Sequence, residues 1–204
     1  GIQAPQSTGP IAVPGRYSVR LTAAGQTQTQ PLEIVRGTEL TTPAADLAAS
    51  TATQVRIRND MNAAVAMINK LEVMRHQLEE QRAANAGRPD VLAAVDRMDR
   101  RMLDVEHQLV SHSDLNSDDK YYVEKYRIYL NLIWLSGEVG GGAGDVAGGA
   151  VFRPTDASLA VLHDIERDLA RAKSDFDTLM RDDVPAYNRT MSGKVAAIAN
   201  DLTP

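Results

Sequence analysis

The spacing of hydrophobic residues changes once along the chain, and the first stretch has a period of two. Tyr17, Val19 and Leu21 alternate with polar residues, and a second stretch contains the apolar residues Leu32, Ile34 and Val35. This pattern is typical of strands with one apolar face. Ala24-Gly25-Gln26 is a candidate turn, so Tyr17–Thr22 and Gln28–Val35 are predicted to pair as an antiparallel hairpin. A hairpin alone is only marginally stable in water. We therefore expect further strands or packed helices to cover its apolar face.

From Thr42 onward the spacing of apolar residues becomes helical. Thr42 suits an N-cap, and Pro43 suits the first position of a long helix. Amphipathic helices are predicted at about residues 43–84, 90–111, 118–138 and 155–182, with helix resuming from 186 to 201 after a break or kink at Pro185. The third helix is apolar nearly all round, so it is expected to be the most buried, with Ile133 in a shared core layer.

The order of these elements predicts a mainly α protein. Its expected architecture is an up-down four-helix bundle with an N-terminal β-hairpin or partial immunoglobulin-like β unit. Residues 1–37 supply the extended lead-in and the hairpin, and residues 42–204 supply the bundle. Six glycines within residues 140–149 predict a flexible loop between the third and fourth helices.

Composition narrows the classes of function. The 204 residues carry a net charge of −5, which argues against general nucleic-acid binding and against adhesion to anionic membranes. The charge is uneven, because residues 1–40 are net +1 and the remainder is net −6. There is no cysteine, so disulfides, thiolate metal sites and cysteine nucleophiles are excluded. The most apolar window, residues 126–139, is too short to span a bilayer, so no transmembrane segment is expected.

One segment begins like a calcium-binding loop. Asp114, Asn116 and Asp118 place oxygen donors on alternate residues, which can wrap a hard cation. The sixth position of such a loop should be Gly but is Asp119, and the twelfth should be Glu but is Lys125. The favoured interpretation is a turn between helices in which a side chain caps the third helix. The three donors stay a weak candidate for a calcium site.

No other motif indicates catalysis or a bound cofactor. The glycine run is not followed by Gly-Lys-Ser/Thr, and the four histidines lack metal-ligand spacing. The third helix holds four of the six tyrosines and the only tryptophan, which favours bundle core over a surface that stacks on sugar or other rings. Tyr121 lies off the apolar seam, so it is expected to be exposed and is a candidate interaction residue. We predict no catalytic residue and no cofactor.

Two segments together resemble a known family. They are Val13–Leu21 (VPGRYSVRL), continued by Gln30–Val35 (QPLEIV), and a long helical tail ending in Val184–Asn188 (VPAYN). They resemble the C-terminal region of exported bacterial proteins with sortilin-like, BNR-repeat (Asp-box) β-propellers, which are often labelled glycosyl hydrolases. The resemblance implies an immunoglobulin-like β module followed by helices, and a periplasmic or extracellular location. No Asp-box occurs in this chain, so the resemblance implies no catalytic residue within it.

Three functions are compatible with these observations. The leading hypothesis is a non-catalytic interaction or scaffold module at the C-terminus of an exported propeller protein. Its partner would be another protein or the upstream part of the same precursor. The alternative is a structural accessory subunit docked peripherally on a larger envelope or membrane complex, such as a respiratory or photosynthetic one. A minor alternative is part of a glycosidase.

Overall fold

A computed structural model describes residues 9–111, 125–140 and 151–199 of the chain. It is mainly helical, with one two-stranded antiparallel hairpin, which confirms the predicted mainly α class with a hairpin. In chain order the elements are β1 (Gly15–Ala23), β2 (Gln26–Ile34), α1 (Ala44–Ala84), α2 (Pro89–Leu109), α3 (Ile128–Gly140), α4 (Asp156–Thr178), a π-helical segment (Leu179–Asp183) and α5 (Val184–Thr190). Most of the glycine-rich stretch predicted to be a loop lies outside the described residues.

The chain divides into two compact units, and three helices pass from one unit into the other. The first unit contains the chain up to Arg58 together with Leu135–Leu159. The second contains Asn59–Trp134 and the chain from Ala160 onward. The hairpin therefore belongs to the first unit, and most of the helical core belongs to the second.

The hairpin forms because two residues reverse the chain at Ala24-Gly25. Both have positive φ, 50° at Ala24 and 75° at Gly25, which is the combination that a type I′ turn requires. The register pairs Ala23 with Gln26 beside the turn and continues without a bulge along all nine residues of each strand. The predicted antiparallel pairing is confirmed, and the strands are longer than predicted at the turn.

In the second unit, the buried residues of three helices recur at spacings of three and four. The seams are Ala64, Met67, Leu71, Met74, Leu78 and Gln81 in α1, Val91, Val95, Met98, Met102, Val105 and Leu109 in α2, and Leu162, Ile165, Leu169, Ala172 and Phe176 in α4. This 3.5-residue repeat keeps one narrow stripe of each helix buried, as in coiled coils. The stripes are the hydrophobic core of this unit.

Ion pairs define the direction of α2 relative to α1. Arg75 contacts Asp99 and Glu106, at 2.9 Å in each case. Two turns further along α1, Arg82 Nη2 lies 2.8 Å from Asp96 Oδ1. The partners run backwards along α2 as the residue number rises in α1, so the two helices are antiparallel.

Polar contacts show the same relation between α2 and the last long helix. Gln108 Nε2 donates to Asp175 Oδ2 of α4 at 2.9 Å. Arg101 Nε donates at 2.8 Å to Oδ2 of Asp183, which ends the π-helical segment. The contact partners again run backwards along α2 as the residue number rises from Asp175 to Asp183, so α2 is antiparallel to α4 and to the π-helical segment that follows it.

The structure corrects the prediction for the third helix. It begins at Ile128 rather than near residue 118, since residues 125–127 are not helical and 118–124 lie outside the described residues. Only one face is buried, at Leu132 and Leu135 among others. Ile133 is 37% exposed and Trp134 is 58% exposed. Although this helix has apolar residues on every side, the other described residues pack against only one of its faces.

The prediction that helix continues to residue 201 is also wrong for the residues described. The helix passes Pro185 without stopping, because the π-helical segment shifts the bonding pattern there, with Val184 N–H donating to the carbonyl of Leu179. Proline needs such an adjustment since it lacks an N–H. Helix α5 then ends at Thr190, and Gly193 adopts a left-handed φ of 76°.

Side-chain amides hold the segment that follows α5 in a non-helical form. Gln77 accepts from Ala199 N–H at 2.9 Å and donates to its carbonyl at 3.2 Å. Asn188 does the same for Ile198, at 2.8 and 3.0 Å. These amides satisfy backbone groups that a helix would otherwise pair internally, which explains why the extended form is stable.

Candidate functional site

One face of the hairpin is apolar and open to solvent. Tyr17, Val19 and Leu21 of β1 occupy every second position, so their side chains project from the same face. Leu32 of β2 pairs with Tyr17 across the ladder and projects from that face too. Val19 is 51% exposed and Leu21 is 67% exposed. The sequence predicts that such a face is covered, and no described residue buries it. We refer to these four residues as the apolar face.

The opposite face of the hairpin is polar, and its positive charge lies on β1. Arg16 and Arg20 project from this side, together with Thr22 and the β2 residues Thr27 and Glu33. Thr22 and Thr27 contact each other through their hydroxyls at 3.0 Å. In the described part of the chain, no ion pair is formed by Arg16 or Arg20, and both are exposed.

The two outer edges of the hairpin differ in their hydrogen-bonding groups. Because the turn has two residues, Ala23 and Gln26 exchange backbone hydrogen bonds with each other. Such pairs alternate along the ladder with pairs whose N–H and C=O groups point outward, away from the partner strand. The pair Ser18–Pro31 is one of these. Proline has no N–H, so β2 lacks a donor in the middle of its outer edge, whereas Ser18 supplies one on β1.

The connections on either side of the hairpin are tied to the start of α1. Arg36 donates to the carbonyls of Leu40 and Thr42, at 2.8 and 2.5 Å. Ile11 N–H donates to Gln54 Oε1 at 3.0 Å. The structure thus fastens the chain both before and after the strands, while it leaves the strands themselves uncovered. The sequence contains no local signal for the contact between Ile11 and Gln54, which are 43 residues apart.

The second unit also contains a polar cleft. It has a volume of about 300 Å³, and its lining includes Lys125, Arg127, Asp168 and Arg171. Arg171 is ion-paired with Asp168, and Arg127 is also engaged. One lysine at the rim is too little positive charge for an anion site.

The charged groups between the helices are structural in character. Desolvation lowers the pKa of Arg75, but the hydrogen bond that Arg75 donates to Asp99 and the negative charge of Glu106 outweigh it and raise the pKa overall. Burial raises the pKa of Tyr187 above its ordinary value of 10.0, and its hydroxyl donates to Gln81 Oε1 at 2.5 Å. Both arrangements hold helices together and present no free acid, base or nucleophile.

The candidate residues chosen from the sequence cannot be placed in this geometry. Asp114, Asn116 and Asp118, the weak calcium candidate, lie outside the described residues, and so does Tyr121. Within residues 9–111, 125–140 and 151–199, no three His, Asp or Glu side chains are grouped to hold a metal ion. The structure instead draws attention to the hairpin. Its alternating pattern was the sequence signal, and its exposure was not predicted.

Comparisons with known proteins assign the chain to no family. No protein-family model, curated protein or solved structure matches it. None of the described helices combines the length and the apolar composition that a membrane span requires. Function must therefore be argued from the surface of the molecule.

Proposed function

We propose that this chain is a non-catalytic protein-interaction module that docks through its hairpin. The docked element is a β-strand segment that extends the sheet at one edge and lies against the flank of the apolar face. Following the resemblance, the module lies at the C-terminus of an exported bacterial propeller protein, and the upstream part of the same precursor supplies the segment. The hairpin would then be the end of an immunoglobulin-like β module.

The observation that carries the proposal is the open apolar face. Two strands are marginal by themselves in water, and stable sheets gain from a third strand or a packed layer. Covering side chains that are about half exposed would contribute roughly 1 kcal/mol each, about half the value for full burial. A strand added at one edge reaches only the flanks of the side chains on the neighbouring strand, so the total gain is on the order of 1–2 kcal/mol.

The helices supply the scaffold in this proposal. We propose that the helices form an up-down four-helix bundle. The antiparallel pairs α1–α2 and α2–α4 support this arrangement. The long seams and the ion pairs of Arg75 and Arg82 hold the helices of the second unit together. The ties of Arg36 and Gln54 connect the hairpin to the first turns of α1. A partner held by the hairpin is thereby held beside the start of α1.

Site-specific photocrosslinking in the native full-length protein tests the proposal. A benzophenone amino acid replaces Val19 on the apolar face, or Thr29 on the polar face as the matched control. We expect position 19 to crosslink to one defined sequence with alternating polar and apolar residues, and position 29 to give at most a minor product. Mass spectrometry of the crosslinked peptides identifies the sequence.

The location of the crosslinked sequence separates the hypotheses. A sequence upstream in the same polypeptide supports the precursor hypothesis. A sequence in a separate subunit supports docking but contradicts that assignment of the strand. Equal crosslinking at both positions, or none at either, would contradict the docking function.

A further inference from the structure

We infer that the docking strand pairs with the outer edge of β1, and that its residues alternate between acidic side chains beside Arg16 and Arg20 and apolar side chains beside Val19. This inference rests on the docking function proposed above. It adds which edge is used and what chemistry the partner strand carries.

The choice of edge follows from the backbone. The outward-facing pairs of the ladder are those that contain Arg16, Ser18, Arg20 and Thr22 in β1. Each of these four supplies an outward N–H and C=O, so β1 offers an uninterrupted edge. The matching edge of β2 is interrupted at Pro31, and proline on an outer strand is a common way to prevent further pairing.

The apolar side chains favour the same edge. Three of the four residues of the apolar face, Tyr17, Val19 and Leu21, come from β1. Opposite Val19 and Leu21, β2 presents Gln30 and Gln28. A strand added beside β1 would therefore bury more apolar surface than one added beside β2.

The charge of the partner follows from the polar face. β1 contains two arginines and no carboxylate. Arg16 and Arg20 are exposed and have no ion pair within the described residues. Glu33 lies opposite Arg16 in the register and offsets part of its charge, whereas Arg20 lies opposite Thr29. On a neighbouring strand, side chains directly opposite interact most strongly, and opposite charges stabilise the pair. Acidic residues at alternate positions of the partner strand would meet both arginines on one face.

The same charges disfavour a second copy of this chain as the partner. Antiparallel pairing of β1 with β1 would bring arginines of one copy close to arginines of the other. Like charges in that position destabilise a sheet. A separate acidic strand is the occupant that fits the surface.

Two synthetic ten-residue peptides with capped ends test the chemistry. One alternates Glu with Val, and the other alternates Lys with Val. Binding to the full chain is followed by amide chemical shifts and hydrogen exchange. We expect the Glu peptide to bind about tenfold more tightly than the Lys peptide, with weaker binding at high salt. We also expect the amides of Ser18 and Arg20 to become protected.

A pair of proline variants tests the edge. Ser18→Pro removes an outward N–H from β1, just as Pro31 does naturally in β2, and Thr29→Pro removes one from the outer edge of β2. Ser18→Pro should weaken binding of the Glu peptide about tenfold, and Thr29→Pro should change it less than twofold. Because a proline can disturb the hairpin, Arg16→Glu combined with Arg20→Glu provides a second test. This double variant should reverse the preference to the Lys peptide.

The outcomes distinguish this inference from the docking function itself. Loss of binding in Thr29→Pro but not in Ser18→Pro would place the partner on β2. Equal binding of the two peptides, or no binding of either, would overturn the acidic-strand assignment. Self-association of the chain through β1 would overturn it in favour of a second copy. Crosslinking at position 19 in the native protein would still support docking in each case.

Discussion

Replacing Arg75 with Met should destabilise the chain by about 2–4 kcal/mol. Arg75 is 24% exposed, and its partners Asp99 and Glu106 are 17% and 10% exposed. Each 2.9 Å contact is a hydrogen bond between charged groups, worth about 1.5–3 kcal/mol, and we reduce the sum because some solvent reaches the pair. Methionine retains the apolar stem, so the loss should come from leaving two carboxylates without their cation.

Urea unfolding followed by circular dichroism measures this change. Arg171→Met is the matched control, because Arg171 pairs with Asp168 on an exposed surface and should cost far less. Adding Glu106→Gln to Arg75→Met should recover part of the loss, since it removes one unpaired charge. A cost below about 1 kcal/mol for Arg75→Met, or one equal to that of Arg171→Met, would refute the role assigned to the ion pairs.

Three further predictions concern the core, a buried hydroxyl and the turn. Leu132→Ala should cost about 2–5 kcal/mol and Ile133→Ala clearly less, because Leu132 is fully buried and Ile133 is not; equal costs in urea unfolding would contradict the buried face assigned to α3. Because burial raises the pKa of Tyr187, the folded state holds that proton more tightly, and stability should fall as the pH rises above about 10. Tyr187→Phe should remove this component, and should cost about 1–3 kcal/mol at neutral pH by leaving Gln81 without its donor; an unchanged pH profile would contradict the assignment. Ala24→Asn should slow exchange of the amides that pair across the hairpin, because Asn accepts positive φ more readily than Ala; faster exchange would argue against the type I′ turn.

The periodicity of the sequence was sufficient to predict the hairpin and three of the helices, but not the start of α3 or the end of α5. Alternation gave the two strands and their antiparallel pairing, and apolar spacing gave α1, α2 and α4 to within a few residues. Local patterns succeed here because strand pairing beside a two-residue turn and helical seams depend on residues close in the chain. The type of these elements is therefore determined by local sequence.

Burial and long-range contacts could not be derived in the same way. Ile133 is apolar, yet whether it is covered depends on which neighbours reach it. The extended segment at Ile198 and Ala199 is set by amides of Asn188 and Gln77, and the second of these lies more than one hundred residues away. The exposure of the hairpin likewise depends on the rest of the fold, because no described residue packs on its apolar face.

Proline 31 shows what the sequence could have revealed about the candidate site. A proline within a predicted strand indicates that the strand has a free edge there, which already restricts β2 to the outside of a sheet. The register of the hairpin, which only the structure provides, shows that the nitrogen of Pro31 points outward and that Ser18 is its partner. The edge preference thus follows from sequence and structure together.

Amide hydrogen exchange, compared between this chain alone and the native full-length protein in its assembly, tests the central claim most directly. The account predicts that the outward amides of Ser18 and Arg20 exchange rapidly in the isolated chain and slow by at least about tenfold in the assembly, while that of Thr29 stays fast. Unchanged rates at Ser18 and Arg20, or protection at Thr29 instead, would contradict docking of a strand on the edge of β1.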